Sequence, residues 1–563
     1  MNTSTRVSFG LYAMEVKPDS IPSADDLQPF SKISDLMADF ASSYPYASYE
    51  PDFWLLDGGY KFMPSNPASV HVGMMSLEMS DENGNFANPP VLTVDFTYPH
   101  TSDGLTMRFS QYSNDLPNWV TVAYYDAADA LIRSDDYYPT TWEFITETPV
   151  EDFQKIVITF RGTNKPYRYL RLTGIDYGRL IYFTGSDVKA ASVVEEIDPM
   201  SGEARFNTLN LRLYSADAQF SLINPSGYFQ YLQERQPIVV SEQVGSQTAY
   251  IGQFYLDEWR NRSETEIEFE CVDLLGVLDK ITCLGGIWND TPVETVLAAL
   301  LEPIRAPYDL DASLYGSLIK GWIPICTYRE ALQHIALAIG AYLDCSRSSV
   351  LKIYAAPIAA TATPSETITR SQKGQSQTLS LKPLVTGVEV TAHIYVTGGA
   401  TETLFSGALP AGEHTITWDF PHYSLSIVGA SYVTGGANYV TVSLAAPSNV
   451  SLNGARYIEV KRIYSQHTPD LPAGTKANVL KVADATLVGT GNGAAVCARI
   501  YAYHQQRLLQ TMRMYAPMTL QVGDVVTVET LYNQTIKALV EKMSVNLSGG
   551  MVADMELVGV VNE

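Results

Sequence analysis

The sequence predicts a mainly β, multidomain protein. A chain of 563 residues is too long for one hydrophobic core, so several domains are expected. Short segments that alternate apolar and polar residues recur along most of the chain, with Gly, Pro, Asn or Asp between them, and this pattern is typical of strands joined by turns. Apolar residues make up 46% of the sequence, enough to form a core in every domain.

The front of the chain predicts an arm followed by a β-sandwich. Residues 1–51 begin with the strand-like run Val7 to Val16, and we expect this arm to pack on a neighbour or on a later domain. Residues 52–176 contain regular short strands, such as Val91 to Phe96 and Val120 to Tyr125, separated by turn residues. Such spacing favours a sandwich of two sheets.

The strand phrases of this sandwich resemble the galactose-binding-like jelly roll. They read G-L-T-M-R-F, V-T-V-A-Y-Y-D and Y-R-Y-L-R-L in order along the chain. The resemblance implies loops at one end that bind sugars by aromatic stacking and hydrogen bonds. The candidate glycan contacts are Trp54, Tyr60, Trp119, Tyr137 and Tyr138. The alternative, that these aromatics belong to the core and rim of the sandwich, stays open.

Residues 177–285 predict a β-barrel that ends in a hairpin and a short helix. Tyr250 to Trp259 is rich in aromatic and apolar residues, and the polar break at Asn261 to Ser263 turns the chain. Glu266 to Cys271 then alternates strictly, which gives a half-buried strand with an acidic outer face. Helical spacing starts immediately afterwards, with Asp273 available as the N-cap.

This hairpin and helix resemble the hub proteins at the tip of bacteriophage tails, a family that contractile injection machines also carry. The matching phrases are a strand that ends in G-x-F/Y-Y-L/V-D-E and a helix that reads D-L-L-G-x-L-D-K. The hub-signature residues are Gly252, Tyr255, Asp257, Glu258, Asp273, Gly276, Asp279 and Lys280. Whether or not the chain is such a hub, this segment should form an ordinary hairpin followed by a helix.

The rest of the chain predicts four further segments. Residues 286–360 read as a small α/β domain, with one helix opened by Thr291 as N-cap and Pro292 as first residue, and another from Thr327 to Ile339. Residues 361–392 are a linker and the start of a second barrel. Residues 393–465 form a β-sandwich insert. Residues 466–563 contain a helix and the second barrel, which the resemblance implies is tube-forming like the first.

Within the insert, the phrase Y-V-T-G-G-A occurs twice, starting at Tyr395 and at Tyr432. Two copies with Gly-Gly turns predict two equivalent hairpins. They are too few for a solenoid.

Charge and cysteine content restrict the classes of function. The net charge of −24 disfavours binding to a nucleic-acid backbone, which requires clustered Lys and Arg. The five cysteines are irregularly spaced, so we expect free buried thiols and assembly in a reducing cytoplasm, which the resemblance implies is that of a bacterial host. The sequence shows no signal peptide, no membrane span, and no metal-ligand or cofactor motif.

Three functions are open to a chain of this kind: a structural hub, a carbohydrate-binding adhesin that recognises a host receptor, and an enzyme. No nucleophile elbow, H-E-x-x-H pair or Cys–His pair is present, so the sequence predicts no catalytic residues and no enzyme. The resemblance implies a virion protein at the tail tip or baseplate that connects the tail tube to the tip or spike and lines the channel for DNA ejection.

The same resemblance implies the assembly and its partners. We expect a homotrimer, because two similar barrels per chain present six units to a hexameric tube. Residues 186–280 and 475–563 would line an acidic channel that DNA passes without specific binding. Expected partners are the distal tail or tube protein, the tip or spike protein and the tape measure, with a host surface glycan for the sandwich.

Overall fold

The structure is a computed structural model of the chain. It describes residues 3–12, 16–29, 31–37, 47–54, 72–102, 104–110, 114–146, 148–200, 202–215, 218, 220–221, 224, 232, 234–245, 247–304, 306–469, 471, 474, 476–530, 534–548 and 550–562. Strands dominate these residues and helices are few, so the prediction of a mainly β, multidomain protein is confirmed.

The N-terminal part is a sandwich of two sheets. One sheet has the strand order β2-β4-β9-β6-β7, and β3, β5 and β8 assemble beside β10 in the other. Alternate residues of both sheets, such as Leu92, Val120 and Ile175, are fully buried between them. The elements are β1 (Thr3–Tyr12), α1 (Val16–Asp19), β2 (Ser20–Ser23), β3 (Met74–Met75), β4 (Val91–Ser102), β5 (Leu105–Phe109), β6 (Pro117–Tyr125), β7 (Leu131–Tyr137), β8 (Glu143–Thr146), β9 (Val150–Thr163) and β10 (Arg171–Thr184).

The next part contains the signature hairpin and the α/β domain. The predicted hairpin strands and the helix capped by Asp273 are confirmed as β14, β15 and α2. The elements are β11 (Val188–Glu196), β12 (Thr208–Tyr214), β13 (Pro237–Val244), β14 (Gln247–Asn261), β15 (Glu266–Val272), α2 (Leu274–Leu278), β16 (Thr282–Cys283), β17 (Gly286–Pro292), α3 (Val293–Leu301), β18 (Tyr308–Leu310), β19 (Leu318–Ile323), β20 (Cys326–Thr327), α4 (Tyr328–Ile339), β21 (Ala341–Asp344) and β22 (Leu351–Ala355).

The C-terminal part contains the insert, one helix and the closing strands. The apolar spacing within Val479 to Arg513 predicts a long helix that includes Leu508, but helix α5 occupies only Gly493–His504 and Leu508 lies in a strand. The elements are β23 (Glu366–Ile368), β24 (Lys373–Leu381), β25 (Gly387–Val396), β26 (Thr401–Leu409), β27 (Gly412–Thr417), β28 (His422–Val428), β29 (Ser431–Gly435), β30 (Tyr439–Leu444), β31 (Ser448–Arg456), β32 (Ile458–His467), β33 (Val479–Val482), α5 (Gly493–His504), β34 (Leu508–Tyr515), β35 (Val525–Glu529), β36 (Thr535–Asn546) and β37 (Val552–Asn562).

Among the described residues, the strands of the two predicted barrels form one open sheet and not two separate closed barrels. Its main path runs β24-β34-β37-β36-β11-β12-β15-β14-β13-β1-β10-β5-β8. The two halves join where β11 pairs antiparallel with β36, with Val193 opposite Val545. Strand β11 uses one edge to pair with β36, and β36 uses one edge to pair with β11. Neither half can therefore use that edge to close a barrel of its own.

The N-terminal strand lies in the middle of this sheet. β1 pairs antiparallel with β13 on one side and with β10 on the other, so it joins the sandwich to the sheet. Phe9 on β1 is fully buried in a single hydrophobic core that also contains Phe269 and Met555. One core therefore serves both halves of the sheet.

Two local predictions are wrong. Helix α3 begins at Val293 with Pro292 in the N-cap position, because Thr291 still belongs to β17 and lies opposite Ile319. The two Y-V-T-G-G-A copies are not equivalent hairpins. Tyr395 lies in β25, which pairs with β32 and β33, whereas Tyr432 lies in the β29–β30 hairpin.

Candidate functional site

The hub-signature residues on β14 shape the strand where it leaves the sheet core. Gly252 has φ of 150° and lies at a bulge against Val240, a conformation that favours glycine. Three residues later, Tyr255 is buried and packs into the core of the α/β domain. Its hydroxyl accepts a hydrogen bond from Gln253 Nε2 at 2.8 Å. β14 thus contributes both to the core of the sheet and to the core of the α/β domain.

Asp273 is the buried N-cap of α2. Its Oδ1 accepts a hydrogen bond from the Gly276 amide at 3.1 Å, and its Oδ2 accepts one from the Asn207 amide at 2.7 Å. Burial raises the pKa of Asp273 to about 7. At Gly276 an added Cβ would lie 2.5 Å from Val272 Cβ, so only glycine allows the helix to approach the strand this closely.

Three further charged signature residues hold the sheet and the α/β domain together. Lys280 forms an ion pair with Asp257 of β14. Asp279 accepts a hydrogen bond from Arg329 Nε at 2.7 Å, and Arg329 also donates from Nη1 to the Ala204 carbonyl at 2.6 Å. Asp257 and Asp279 are therefore structural acids, and they tie α2 to β14 and to α4.

Glu258 belongs to a polar face that covers the outer side of the sheet. It lies opposite Glu270, and Arg260 is hydrogen-bonded at 2.9 Å to both Glu268 and Glu270. Hydrogen bonds from Arg262 and Arg260 lower the pKa of Glu268 to about 2. Arginine thus compensates much of the repulsion between neighbouring carboxylates.

This polar face continues across the junction into the second half of the sheet. Glu196 on β11 lies opposite Lys542 on β36, and their side chains form an ion pair at 2.6 Å. Farther along, Arg513 and Asp554 are opposite and 3.7 Å apart. We name this surface the polar sheet face. Its charged members on β11, β12, β14, β15, β34, β36 and β37 are Lys189, Glu196, Arg212, Glu258, Arg260, Glu266, Glu268, Glu270, Arg513, Lys537, Lys542, Asp554 and Glu556, which are seven carboxylates and six cations.

The sequence analysis missed a buried charged cluster behind this face. Glu195 on β11 pairs with Arg347 of the α/β domain at 2.7 Å, and both side chains are almost fully buried. Lys352 pairs with Asp344 at 3.0 Å and also donates to Gln521 Oε1 of the second half at 3.2 Å. The available signal was Glu195 itself, because strand alternation places it on the inner face.

The insert is also fixed to the α/β domain. Asn438, at the turn between β29 and β30, is fully buried. Its side-chain amide donates to the carbonyls of Leu284 and Ile323, at 3.2 and 2.9 Å, and its Oδ1 accepts from Trp322 Nε1 at 2.7 Å. These bonds hold the tip of the insert against the domain.

The structure brings two of the candidate glycan contacts together. The rings of Trp119 and Tyr138 are stacked with centroids 6.5 Å apart, and the two side chains are 41% and 62% exposed. Arg161 lies 5.6 Å from the Trp119 ring. The expectation that Trp119 lies in a loop at one end of the sandwich is wrong, because Trp119 lies within β6 and the cluster is on the outer surface of the sandwich sheet.

The other candidate contacts lie apart from this cluster. Tyr137 packs against the sandwich core and donates to Thr148 Oγ1 at 3.0 Å. Trp54 donates from Nε1 to the Ser48 carbonyl at 2.8 Å. Tyr60 lies outside the described residues.

The described residues contain neither a cluster of metal ligands nor a membrane-spanning helix. No group of three or more His, Cys, Asp or Glu side chains that could hold a metal ion occurs there. The described helices also include none long and apolar enough to cross a membrane. The absence of catalysis and of cofactors stays a prediction.

The comparisons find tail proteins among the solved structures that the chain is similar to. No protein-family model and no curated protein matches the sequence. A tail protein from Neisseria meningitidis MC58 aligns with a TM-score of 0.41 and 12% identity, over 67% of this chain and 93% of that chain. The 43 kDa tail protein of prophage MuSo2 from Shewanella oneidensis aligns with a TM-score of 0.38 and 12% identity, over 67% and 95%.

A third similar structure is a carbohydrate-binding module. The family 32 module of C. perfringens NanJ, solved with galactose, aligns with a TM-score of 0.19 and 10% identity. It covers 31% of this chain and 99% of the module. All three TM-scores are below 0.5.

Proposed function

We propose that this chain is a structural virion protein, the hub that connects a phage tail tube to the tip or spike. The support from the sequence is the signature phrase of β14 and α2. In the structure its charged residues, Asp257, Asp279 and Lys280, join the sheet to the α/β domain, which is a structural and not a catalytic task. The proposal therefore includes no enzymatic activity and no cofactor.

The observation that carries the proposal is the pairing of β11 with β36. It joins two similar halves side by side and gives them one continuous polar sheet face. Three copies of such a chain would present six comparable halves, matching a hexameric tube, and closed cyclic symmetry is the usual arrangement for such rings. We place the polar sheet face toward the channel of this homotrimer.

The charge of this face suits passage of DNA without binding. Carboxylates outnumber cations by one, and Arg260, Arg513 and Lys542 are paired with carboxylates of the same face. In a narrow channel the distance from the wall to a DNA phosphate is comparable to the Debye length, about 10 Å at 0.1 M salt. The carboxylates of the wall would therefore repel the phosphates. The tube protein, the tape measure and the tip protein are the partners that this position implies.

Imaging of the assembled tail at side-chain resolution tests the proposal. We expect three copies of the chain at the tip, with Glu258, Glu270 and Glu556 facing the channel. A ring with another number of copies would refute the trimer, and a channel wall dominated by Lys and Arg would refute the placement of the face. Absence of the chain from the tail would refute the hub itself.

A second candidate function is a carbohydrate-binding adhesin, because the Trp119–Tyr138 stack is exposed beside Arg161. Stacked aromatic rings with a nearby hydrogen-bond donor suit a sugar ring. We expect Trp119→Ala to weaken binding to any glycan that the full chain recognises on an array by about tenfold. Tyr432→Ala, an exposed aromatic on the insert, is the matched control and should leave binding unchanged. Equal binding by both variants would remove this candidate.

A further inference from the structure

Cys283 and Cys326 lie directly opposite each other on two short strands. β16 and β20 pair antiparallel, with Thr282 opposite Thr327 and Cys283 opposite Cys326. The Tyr328 amide also donates to the Ile281 carbonyl at 3.0 Å, so the ladder continues beyond the two strands. Side chains of directly opposed residues project from the same face of a β-ladder, so the two thiols are neighbours.

The spacing of such a pair is compatible with a disulfide. The hydrogen bond between Tyr328 and Ile281 marks these two residues as a hydrogen-bonded pair of the ladder. Hydrogen-bonded and non-hydrogen-bonded pairs alternate, so Cys283 and Cys326, two positions farther along, also form a hydrogen-bonded pair, in which the Cα atoms are about 5.5 Å apart. Disulfides span Cα distances of about 4.4–6.8 Å. Their Cβ atoms are about 3.5–4.5 Å apart, closer than the usual cross-strand distance of about 4.5–5.5 Å. The strands must therefore draw together slightly when the bond forms.

We propose that Cys283 and Cys326 form a reversible disulfide when the protein meets an oxidising disulfide compound. All five cysteines of the chain are free thiols in this structure, and only Cys326 is not buried. The more accessible Cys326 is therefore the thiol that reacts first, and buried Cys283 is the one that resolves the intermediate.

The reaction is a thiol–disulfide exchange in two steps. The Cys326 thiolate attacks one sulfur of oxidised glutathione, forms a mixed disulfide and releases one glutathione thiolate. The Cys283 thiolate then attacks Cys326 Sγ, forms the protein disulfide and releases the second glutathione. Two protein thiols are oxidised, one glutathione disulfide is reduced, and the two protein protons pass to solvent and the released thiolates.

Several features of the structure set the rate and lability of this bond. Burial raises the pKa of Cys326 to about 12, so little thiolate is present at neutral pH and the reaction should accelerate as the pH rises. The Gly285 amide also donates to Cys283 Sγ at 3.4 Å. Because the strands must shift, the bond should be readily reduced, as strained disulfides are.

The bond would cross the junction that the signature residues hold. β16 follows α2, and β20 directly precedes α4, so the disulfide would tie the two helices that Asp279 and Arg329 already connect. It would close a loop that contains α3 and β17 to β19. If the chain is a virion protein, as proposed above, the bond forms after release from the reducing cytoplasm; the chemistry itself does not depend on that function.

The test is incubation of the full chain with oxidised glutathione at pH 8.5, followed by intact mass measurement and non-reducing peptide mapping. We expect the loss of the mass of two hydrogen atoms and a Cys283–Cys326 crosslink, which reduced glutathione reverses. Cys326→Ser should abolish the crosslink, and Cys283→Ser should stop at a glutathione adduct on Cys326.

The matched control is Cys497→Ala, which removes a buried thiol of α5 that packs in a different hydrophobic core from the pair and should still form the crosslink. A stable glutathione adduct on Cys326 in the unsubstituted chain would overturn the proposal. So would no reaction under conditions that oxidise the same chain after denaturation, or a crosslink between other cysteines.

Discussion

Arg347→Ala should lower the free energy of unfolding by about 3–5 kcal/mol at pH 8, because it leaves the buried Glu195 carboxylate without its partner. Burial already raises the pKa of Glu195, and removal of the arginine raises it further. The folded variant must then hold a proton that the unfolded chain releases above pH 4.5, the ordinary pKa of the group. The loss should therefore shrink as the pH falls from 8 to 5, by at most about 1.4 kcal/mol per pH unit, because the parent shares part of this pH dependence.

Urea denaturation at both pH values measures this effect. The control is the double variant Glu195→Gln with Arg347→Met, which replaces the pair with neutral side chains of similar size and should be about as stable as the parent. A loss for Arg347→Ala that is the same at pH 5 and pH 8 would show that packing, and not the unpaired carboxylate, is responsible.

Phe9→Ala should also lower the free energy of unfolding by about 3–5 kcal/mol, the usual cost of removing a fully buried phenylalanine. The Phe9 ring stacks on Phe269 with centroids 5.4 Å apart and meets Phe220 edge to face at 5.7 Å. These contacts anchor β1 between β10 and β13, so hydrogen exchange of the amides in both neighbouring strands should accelerate.

Ser8→Ala is the matched control for Phe9. Ser8 lies on the same strand but faces the opposite side, so its replacement should change stability by no more than about 0.5 kcal/mol. If the two variants unfold at the same urea concentration, the aromatic cluster does not anchor the N-terminal strand.

The sequence by itself determined the local elements. The alternation of Glu266 to Cys271 predicted β15, and Asp273 caps α2 as expected. The helix that ends before Gly340 is confirmed, and Gly340 has the left-handed φ of 83° that its C-cap position requires. These signals act between residues a few positions apart, so no knowledge of the rest of the chain was needed.

The assignment of Thr291 as an N-cap failed for the opposite reason. A polar residue followed by proline is a local helix-start signal, but β19 recruits Thr291 into a strand pair. Pairing with β19 provides hydrogen-bond partners for the backbone of Thr291, so the helix begins one residue later than predicted. The two Y-V-T-G-G-A copies also differ because their strands find different partners.

Only the tertiary structure decided how the elements combine into a candidate site. β11 pairs with β36, and Glu195 meets Arg347, although each pair is separated by more than a hundred residues of chain. The sequence placed Cys283 at the end of the first predicted barrel and Cys326 in the α/β domain, and gave no sign that they are opposed. Alternation specifies which side of a strand is buried, but not which strand lies beside it, because many apolar faces can bury one another equally well. That choice depends on packing of the whole chain into a shared core, and it creates the polar sheet face.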